Sequence, residues 1–354
     1  MLPLITGIAG TTLTAEEAEL FARYQPAGYI LFSRNIADYE ETRELTDSLR
    51  RLTKGPQAPI IAIDQEGGRV VRTGALGVQL PSAAALAATR SEHIITQAAL
   101  YTARCLQTLG INTDLAPVLD LASSRANALS GRCWGSESQG VISWAGVWNR
   151  TLNRRGILTC GKHFPGMGGA QKDPHFGLPT LAGDCDAFLA EPAVPFLALM
   201  PELPSLMLAH LMLPQVDAEL PTSLSPAMIT RFLRGQLGYE GVVFTDDLCM
   251  GAITKRYTPP QAASLALQAG CDAPLICHNA TEHLEPTAQA LEALPPALLA
   301  QAMQRLERFS LFIPEPLPPM TFMEWRDYVA DVREFCARVP EPEEPVASSP
   351  VQSY

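Results

Sequence analysis

Eight short apolar runs recur along the chain, each followed by a stretch with helical spacing. This alternation limits the fold more than any other feature. The runs are Leu4–Ile8, Tyr29–Phe32, Pro59–Asp64, Ile111–Pro117, Ile157–His163, Ser205–His210, Gly241–Asp246 and Cys271–Cys277. The helical stretches open on recognisable caps. Thr14-Ala-Glu-Glu and Asp38-Tyr-Glu-Glu begin two of them, and Thr258-Pro-Pro-Gln begins a third with proline near its first turn. Strands alternating with helices predict a parallel sheet. Eight units over about 310 residues fit one closed (β/α)8 barrel of the TIM type, in the α/β class. An open doubly wound sheet would carry a G-x-G-x-x-G turn after its first strand, and Gly7-Ile-Ala-Gly10 does not match that pattern.

The barrel is expected to occupy residues 1–312. Beyond Phe312 prolines crowd the chain, and a helix-like piece, Met323–Arg338, lies between two proline-rich stretches. Residues 313–339 thus read as a C-terminal extension, resting on the barrel loosely or through its apolar face. Residues 340–354 read as a disordered tail. Lys plus Arg number 26 against 37 for Asp plus Glu, so the net charge of −11 disfavours phosphate backbones and nucleic-acid partners. The eight cysteines include no C-x-x-C and no zinc spacing, and they read as buried free thiols in a reducing compartment. No run has the length and apolarity of a membrane span, and the N-terminus carries no basic, signal-like stretch. A cytoplasmic protein without a membrane partner is expected, and a monomer, since no heptad or apolar interface stands out.

Barrel enzymes build their sites at the C-terminal ends of the strands. Here those ends read Phe32-Ser-Arg-Asn35, Asp64-Gln-Glu-Gly-Gly-Arg69 with Arg72 nearby, Ala116-Pro-Val-Leu-Asp120, Lys162-His163, His210 and Asp246-Asp247. Carboxylates in such places often cap the next helix, which suits Asp120 and in part Asp247. It does not suit Lys162, His163 or His210. The Gly- and Pro-rich segment 161–175 is expected to be an irregular, mobile loop, and it sets Asp173 two residues before His175, where a carboxylate can orient an imidazole. Asp246 ends an apolar strand and needs donors or a cation to stay charged there. A carboxylate nucleophile with a separate proton donor suits retaining glycoside hydrolysis. The same groups suit aldolases and metal-dependent hydrolases, so the residue types alone leave the substrate open.

The ordered motifs Asp64-Gln-Glu-Gly-Gly-Arg-Val70, Ala116-Pro-Val-Leu-Asp120, Gly161-Lys-His-Phe-Pro-Gly166, Asp173-x-His175 and Phe244-Thr-Asp-Asp-Leu248 carry a resemblance. Over residues 1–310 the chain resembles the bacterial β-N-acetylhexosaminidases of glycoside hydrolase family 3. Gly28-Tyr-Ile-Leu-Phe-Ser-Arg-Asn35 and Ala269-Gly-Cys-Asp272 fit as well. The resemblance implies Asp246 as nucleophile, His175 as acid/base and Asp173 as its partner carboxylate. It places Asp64, Arg72, Arg132, Lys162 and His163 around the terminal sugar, and puts His210 at a strand end with a less defined part in binding. It implies no metal or organic cofactor, and a small carbohydrate as the partner: an N-acetylglucosaminide such as a peptidoglycan muropeptide. Two positions depart from the family pattern. Met167 stands where a histidine is usual, and Pro174 stands between Asp173 and His175. β-Glucosidase or β-xylosidase specificity, phosphate in place of water, and a sugar-binding relative without turnover stay open.

Overall fold

The computed structural model describes residues 1–123, 127–170, 173–174 and 176–341. Eight parallel strands close into a barrel in chain order. They are β1 (Leu2–Gly7), β2 (Pro26–Leu31), β3 (Ile60–Ile63), β4 (Thr113–Asp114), β5 (Leu158–Phe164), β6 (Ser205–Leu208), β7 (Val242–Asp247) and β8 (Ala273–Ile276). The ring is completed where Ile5 pairs with Leu275. Each of the eight apolar runs overlaps its strand, and the expected barrel is the fold found.

The caps read from the sequence form. The Thr14 hydroxyl accepts the Glu17 N–H, and the Glu17 carboxylate accepts the Thr14 N–H. Asp38 accepts the Glu41 N–H, and Gln261 accepts the Thr258 N–H. Each satisfies donors that a helix start leaves open.

The strands divide their side chains with period two. Ile60 and Ala62 join the cluster inside the barrel, while Ile61 and Ile63 join the layer between sheet and helices. Leu306 and Phe309, from the helix Pro296–Ser310, belong to the interior cluster and stop the N-terminal end of the barrel. Arg305 of that helix reaches the Asp272 carboxylate just before β8, at 3.1 Å. This leaves the C-terminal end as the open face.

β4 is shorter than its apolar run. Its ladder gives way at Ala116-Pro117, where proline has no N–H to donate. The chain still runs beside its neighbours: the Leu115 N–H donates to Ile63 and the Cys160 N–H to Ala116.

The extension packs through its apolar face. Its helix, Phe322–Cys336, stacks Trp325 on Tyr39 with ring centroids 4.9 Å apart, and the Tyr328 hydroxyl donates to the Tyr101 carbonyl. The expected tail falls almost wholly on 342–354, outside the described residues. All eight cysteines are free thiols, and burial pushes Cys105 and Cys160 up to about 12. No helix among the described residues is long and apolar enough to cross a membrane.

Candidate active site

An open pocket of about 630 Å³, counting space shared with solvent, lies at the C-terminal end of the barrel. That is an ordinary size for a small-molecule site. Asp64, Arg72, Arg132, Lys162, His163 and Asp246 all line it. Six of the nine residues singled out from the sequence therefore meet in one place, drawn from β5, β7 and the segments that follow β3 and β4.

The side formed by β3, β5 and residue 132 is a closed network of charges. Lys162 Nζ, buried in the barrel mouth, lies 2.6 Å from Asp64 Oδ1 and 2.6 Å from Glu66 Oε1. Arg132 grips Glu66 with two parallel bonds of 2.8 Å, from Nε to Oε2 and from a terminal nitrogen to Oε1. Its other terminal nitrogen donates to the Ala128 carbonyl at 2.9 Å. Arg72 stands 3.7 Å from Asp64 Oδ2 and covers the face of Phe32 at 5.4 Å. Burial works against charge on Glu66, but Arg132 and Lys162 outweigh it and hold its carboxyl well below the ordinary range. Burial likewise disfavours a charged Lys162, but Asp64 and Glu66 outweigh it and raise Lys162 above its ordinary value.

The turn carrying these carboxylates is tight. The Glu66 and Gly67 N–H groups both donate to the Val70 carbonyl, and Gln65 accepts the Arg72 N–H at 3.0 Å. A side chain at Gly67 would meet the Pro81 carbonyl at 2.2 Å, so glycine is needed there.

His163 is oriented from behind. Its Nδ1 lies 2.7 Å from Asp120 Oδ2, and the same oxygen accepts the His163 N–H at 3.1 Å. A carboxylate at Nδ1 fixes that nitrogen as the protonated one and leaves Nε2 to act on a ligand. Asp120 Oδ1 accepts the Met167 N–H at 2.7 Å. Asp120, expected to cap a helix, instead fixes both the imidazole and the start of the following loop. Met167 and Pro174, the two departures, both line the pocket.

At the end of β7, Asp246 Oδ1 accepts the Asp247 N–H at 2.8 Å, which sets the rotamer of the first carboxylate. Asp247 also lines the pocket. Its Oδ1 accepts the N–H groups of Cys249 and Cys277, at 3.0 and 3.1 Å. Among the described residues its Oδ2 has no hydrogen-bond partner, and His278 Nε2 lies 3.9 Å away. Burial pushes Asp247 up to about 6, against those two N–H groups and helped by the charge of Asp246.

Two expected residues sit elsewhere. His210 does not line the pocket. It is wholly buried, with Nδ1 2.8 Å from the Ser223 hydroxyl and Nε2 2.9 Å from the Asp247 carbonyl. The expected sugar contact is replaced by a hold on the β7 end, because protein atoms take both ring nitrogens. Asp173 lies beside the lining residue Pro174, and its carbonyl accepts the Phe176 and Gly177 N–H groups in a turn. His175 falls outside the described residues. Glu66, Asp120 and Asp247 were not among the expected site residues. Glu66 and Asp247 were visible as motif neighbours of Asp64 and Asp246, whereas nothing local in the sequence ties Asp120 to His163.

Paired cations and carboxylates leave no net call for an anion, and their remaining donors and acceptors suit a neutral, hydroxyl-rich ligand. Asp246 across the pocket supplies a carboxylate that can attack such a ligand.

Residues 5–309 match the family described as the glycosyl hydrolase family 3 N terminal domain. A β-hexosaminidase of Alkalilimnicola ehrlichii is 37% identical over 300 residues, covering 83% of this chain and 84% of the relative. A β-hexosaminidase of Pseudomonas aeruginosa is 34% identical over 299 residues, 84% of this chain and 89% of the relative. Among solved structures, NagZ of Neisseria gonorrhoeae in complex with N-trifluoroacetyl-D-glucosamine superposes with a TM-score of 0.81 at 28% identity. It covers 95% of this chain and 98% of that one. A fungal multi-domain family 3 β-N-acetylglucosaminidase superposes with a TM-score of 0.89 at 28% identity over 97% of this chain, which spans only 44% of that larger protein.

Proposed function

The chain belongs to glycosyl hydrolase family 3, and from that membership we propose that it is a retaining exo-β-N-acetylhexosaminidase. It releases terminal β-linked N-acetylglucosamine. The observation that carries the reading is the pocket itself: the Asp246 carboxylate opens onto the same space as the paired set Asp64, Glu66, Arg132 and Lys162. Relatives with the printed name β-hexosaminidase, each covering most of this chain, support the acetamido sugar.

The chemistry runs in two displacements. Asp246 attacks the anomeric carbon while the aglycone oxygen takes a proton, and a glycosyl-enzyme forms. Water then attacks that carbon, and Asp246 leaves. His175, held by Asp173, gives the first proton and removes one from water in the second step. An imidazole with an ordinary pKa near ~6.5 can do both near neutral pH. Asp64, Arg72, Arg132, Lys162 and His163 hold the sugar hydroxyls, and His210 steadies β7. The natural substrate is a β-linked N-acetylglucosaminyl fragment of peptidoglycan, processed in the cytoplasm during cell-wall recycling.

The test is release of p-nitrophenol from the β-N-acetylglucosaminide and from the β-glucoside, with and without phosphate. Selective cleavage of the N-acetyl substrate, independent of phosphate, is expected. Cleavage of the glucoside alone would discard the substrate class. His175→Ala should lose about 10²–10⁴ in rate on a sugar aglycone and much less on p-nitrophenol. Equal losses on both would remove His175 as the proton donor.

A further inference from the structure

The described residues of the C-terminal arm reach the segment 79–82, which packs against the turn that carries the sugar-binding carboxylates. The family match stops at residue 309, so this arm lies outside it. Its helix, Phe322–Cys336, is anchored on the outer helices by Trp325 on Tyr39 and by Tyr328 on the Tyr101 carbonyl. Past that anchor the chain turns toward residues 77–82. Cys336 Sγ donates to the Gln79 carbonyl at 3.2 Å. The Ser82 N–H and hydroxyl donate to the two oxygens of the Glu341 carboxylate, at 2.7 and 2.6 Å.

Both contacted residues bear directly on the glycine turn. The Gln79 side-chain amide donates to the Gly68 carbonyl at 2.6 Å, and the Gly68 N–H donates to the Leu80 carbonyl at 2.9 Å. The backbones meet so closely that a side chain on Gly68 would fall 2.5 Å from Ser82 Cβ. Gly67 and Gly68 adjoin Glu66, which ligates Lys162 and Arg132. Between the arm and the sugar-binding carboxylates there is thus one segment, residues 79–82, in which Leu80, Pro81 and Ser82 are buried and Gln79 is exposed.

We propose that the C-terminal arm is a positioning element for sugar binding, in which Glu341 and Cys336 set the segment 79–82 and through it the placement of Asp64, Glu66 and Arg72. The inference rests on the reading of those residues as sugar ligands. They hold the sugar before and during reaction alike, so a loosened turn weakens ground state and transition state together. The expected sign is a raised KM at unchanged kcat.

The test uses the full chain with p-nitrophenyl β-N-acetylglucosaminide, comparing wild type with Glu341→Ala, Glu341→Gln, Cys336→Ala and Asp64→Asn, each with its thermal midpoint. Glu341→Ala should raise KM about threefold to tenfold, with kcat within about twofold of wild type. Glu341→Gln keeps one acceptor oxygen for Ser82 and should fall between. Cys336→Ala should move KM the same way by less. A lowered thermal midpoint with KM unchanged would make the arm a stabilising strap only and overturn the proposal. If Asp64→Asn raises KM while neither arm variant does, the sugar reading stands and the positioning role fails. If Asp64→Asn leaves KM unchanged too, both fall.

Discussion

Glu66 and Asp247 face the same pocket from opposite sides and are equally buried, each 5% exposed, yet their acidities move in opposite directions. Glu66 is held well below the carboxylate range, whereas Asp247 is pushed up to about 6. Burial raises both. The difference lies in what surrounds them. Glu66 takes two bonds from Arg132 and one from Lys162, so its charge is met on every side. Asp247 has two backbone N–H groups on one oxygen, an anionic neighbour in Asp246, and His278 at 3.9 Å. That imidazole is no counter-charge near neutral pH, because burial and then Arg34 lower it to about 4. One wall of the pocket is electrostatically complete before a ligand arrives. The other keeps two adjacent carboxyls whose charges oppose each other. On the proposed reading, the complete wall holds a neutral sugar in a fixed pose. On the same reading, Asp246 on the other wall is the carboxylate that reacts.

The largest effect should come from removing the reacting group on the incomplete wall. Asp246→Asn preserves shape and the hydrogen bond from the Asp247 N–H. It should cost at least about 10⁴ in kcat, as loss of a nucleophile does elsewhere, while N-acetylglucosamine still binds. Calorimetry beside steady-state rates checks both halves. Loss of sugar affinity equal to the loss of rate would erase the division between a binding wall and a reacting wall.

Glu66→Gln attacks the complete wall. It leaves Lys162 sharing Asp64 alone and leaves Arg132 without an anion. Removing one partner of such a buried network costs about 3–5 kcal/mol of stability. Denaturant unfolding measures this, and KM should rise because the Lys162 and Arg132 heads lose their common anchor. A stability loss below about 1 kcal/mol would mean that the network is far less enclosed than its geometry implies.

The same contrast accounts for what the sequence disclosed. The barrel was legible because short apolar runs and capped helices are local signals, and Asp246, Lys162 and His163 were legible because they stand at strand ends. Asp120 was not. In sequence it stands where a helix cap would, and only the closure of β4 onto β5 brings it to His163 Nδ1, 43 residues away. His210 failed in the opposite sense, since a strand-end position promised a ligand contact and the Ser223 hydroxyl and Asp247 carbonyl absorbed its ring instead. Glu66 sat inside a motif that was read for Asp64 and the glycines. Its importance comes from Arg132, 66 residues on, a pairing no local pattern encodes. The short β4 has the same origin, because an apolar run does not reveal where its ladder stops.

The smallest effect concerns the proton on Asp247. Its folded pKa of about 6 lies above the ordinary 3.8, so between those values the folded chain holds a proton that the unfolded chain has released. Stability from this group is complete below pH 3.8 and is lost as pH rises through 6. Above that, the wild type carries a buried carboxylate whose Oδ2 has no hydrogen-bond partner among the described residues. Asp247→Asn keeps an acceptor for the Cys249 and Cys277 N–H groups but never ionises. From pH 4 to pH 8 the variant should therefore gain on wild type by at most about 3 kcal/mol, read as the change in their difference in urea stability. A constant difference across that range would mean that Asp247 ionises with ordinary ease, and the two walls would then differ in geometry but not in charge.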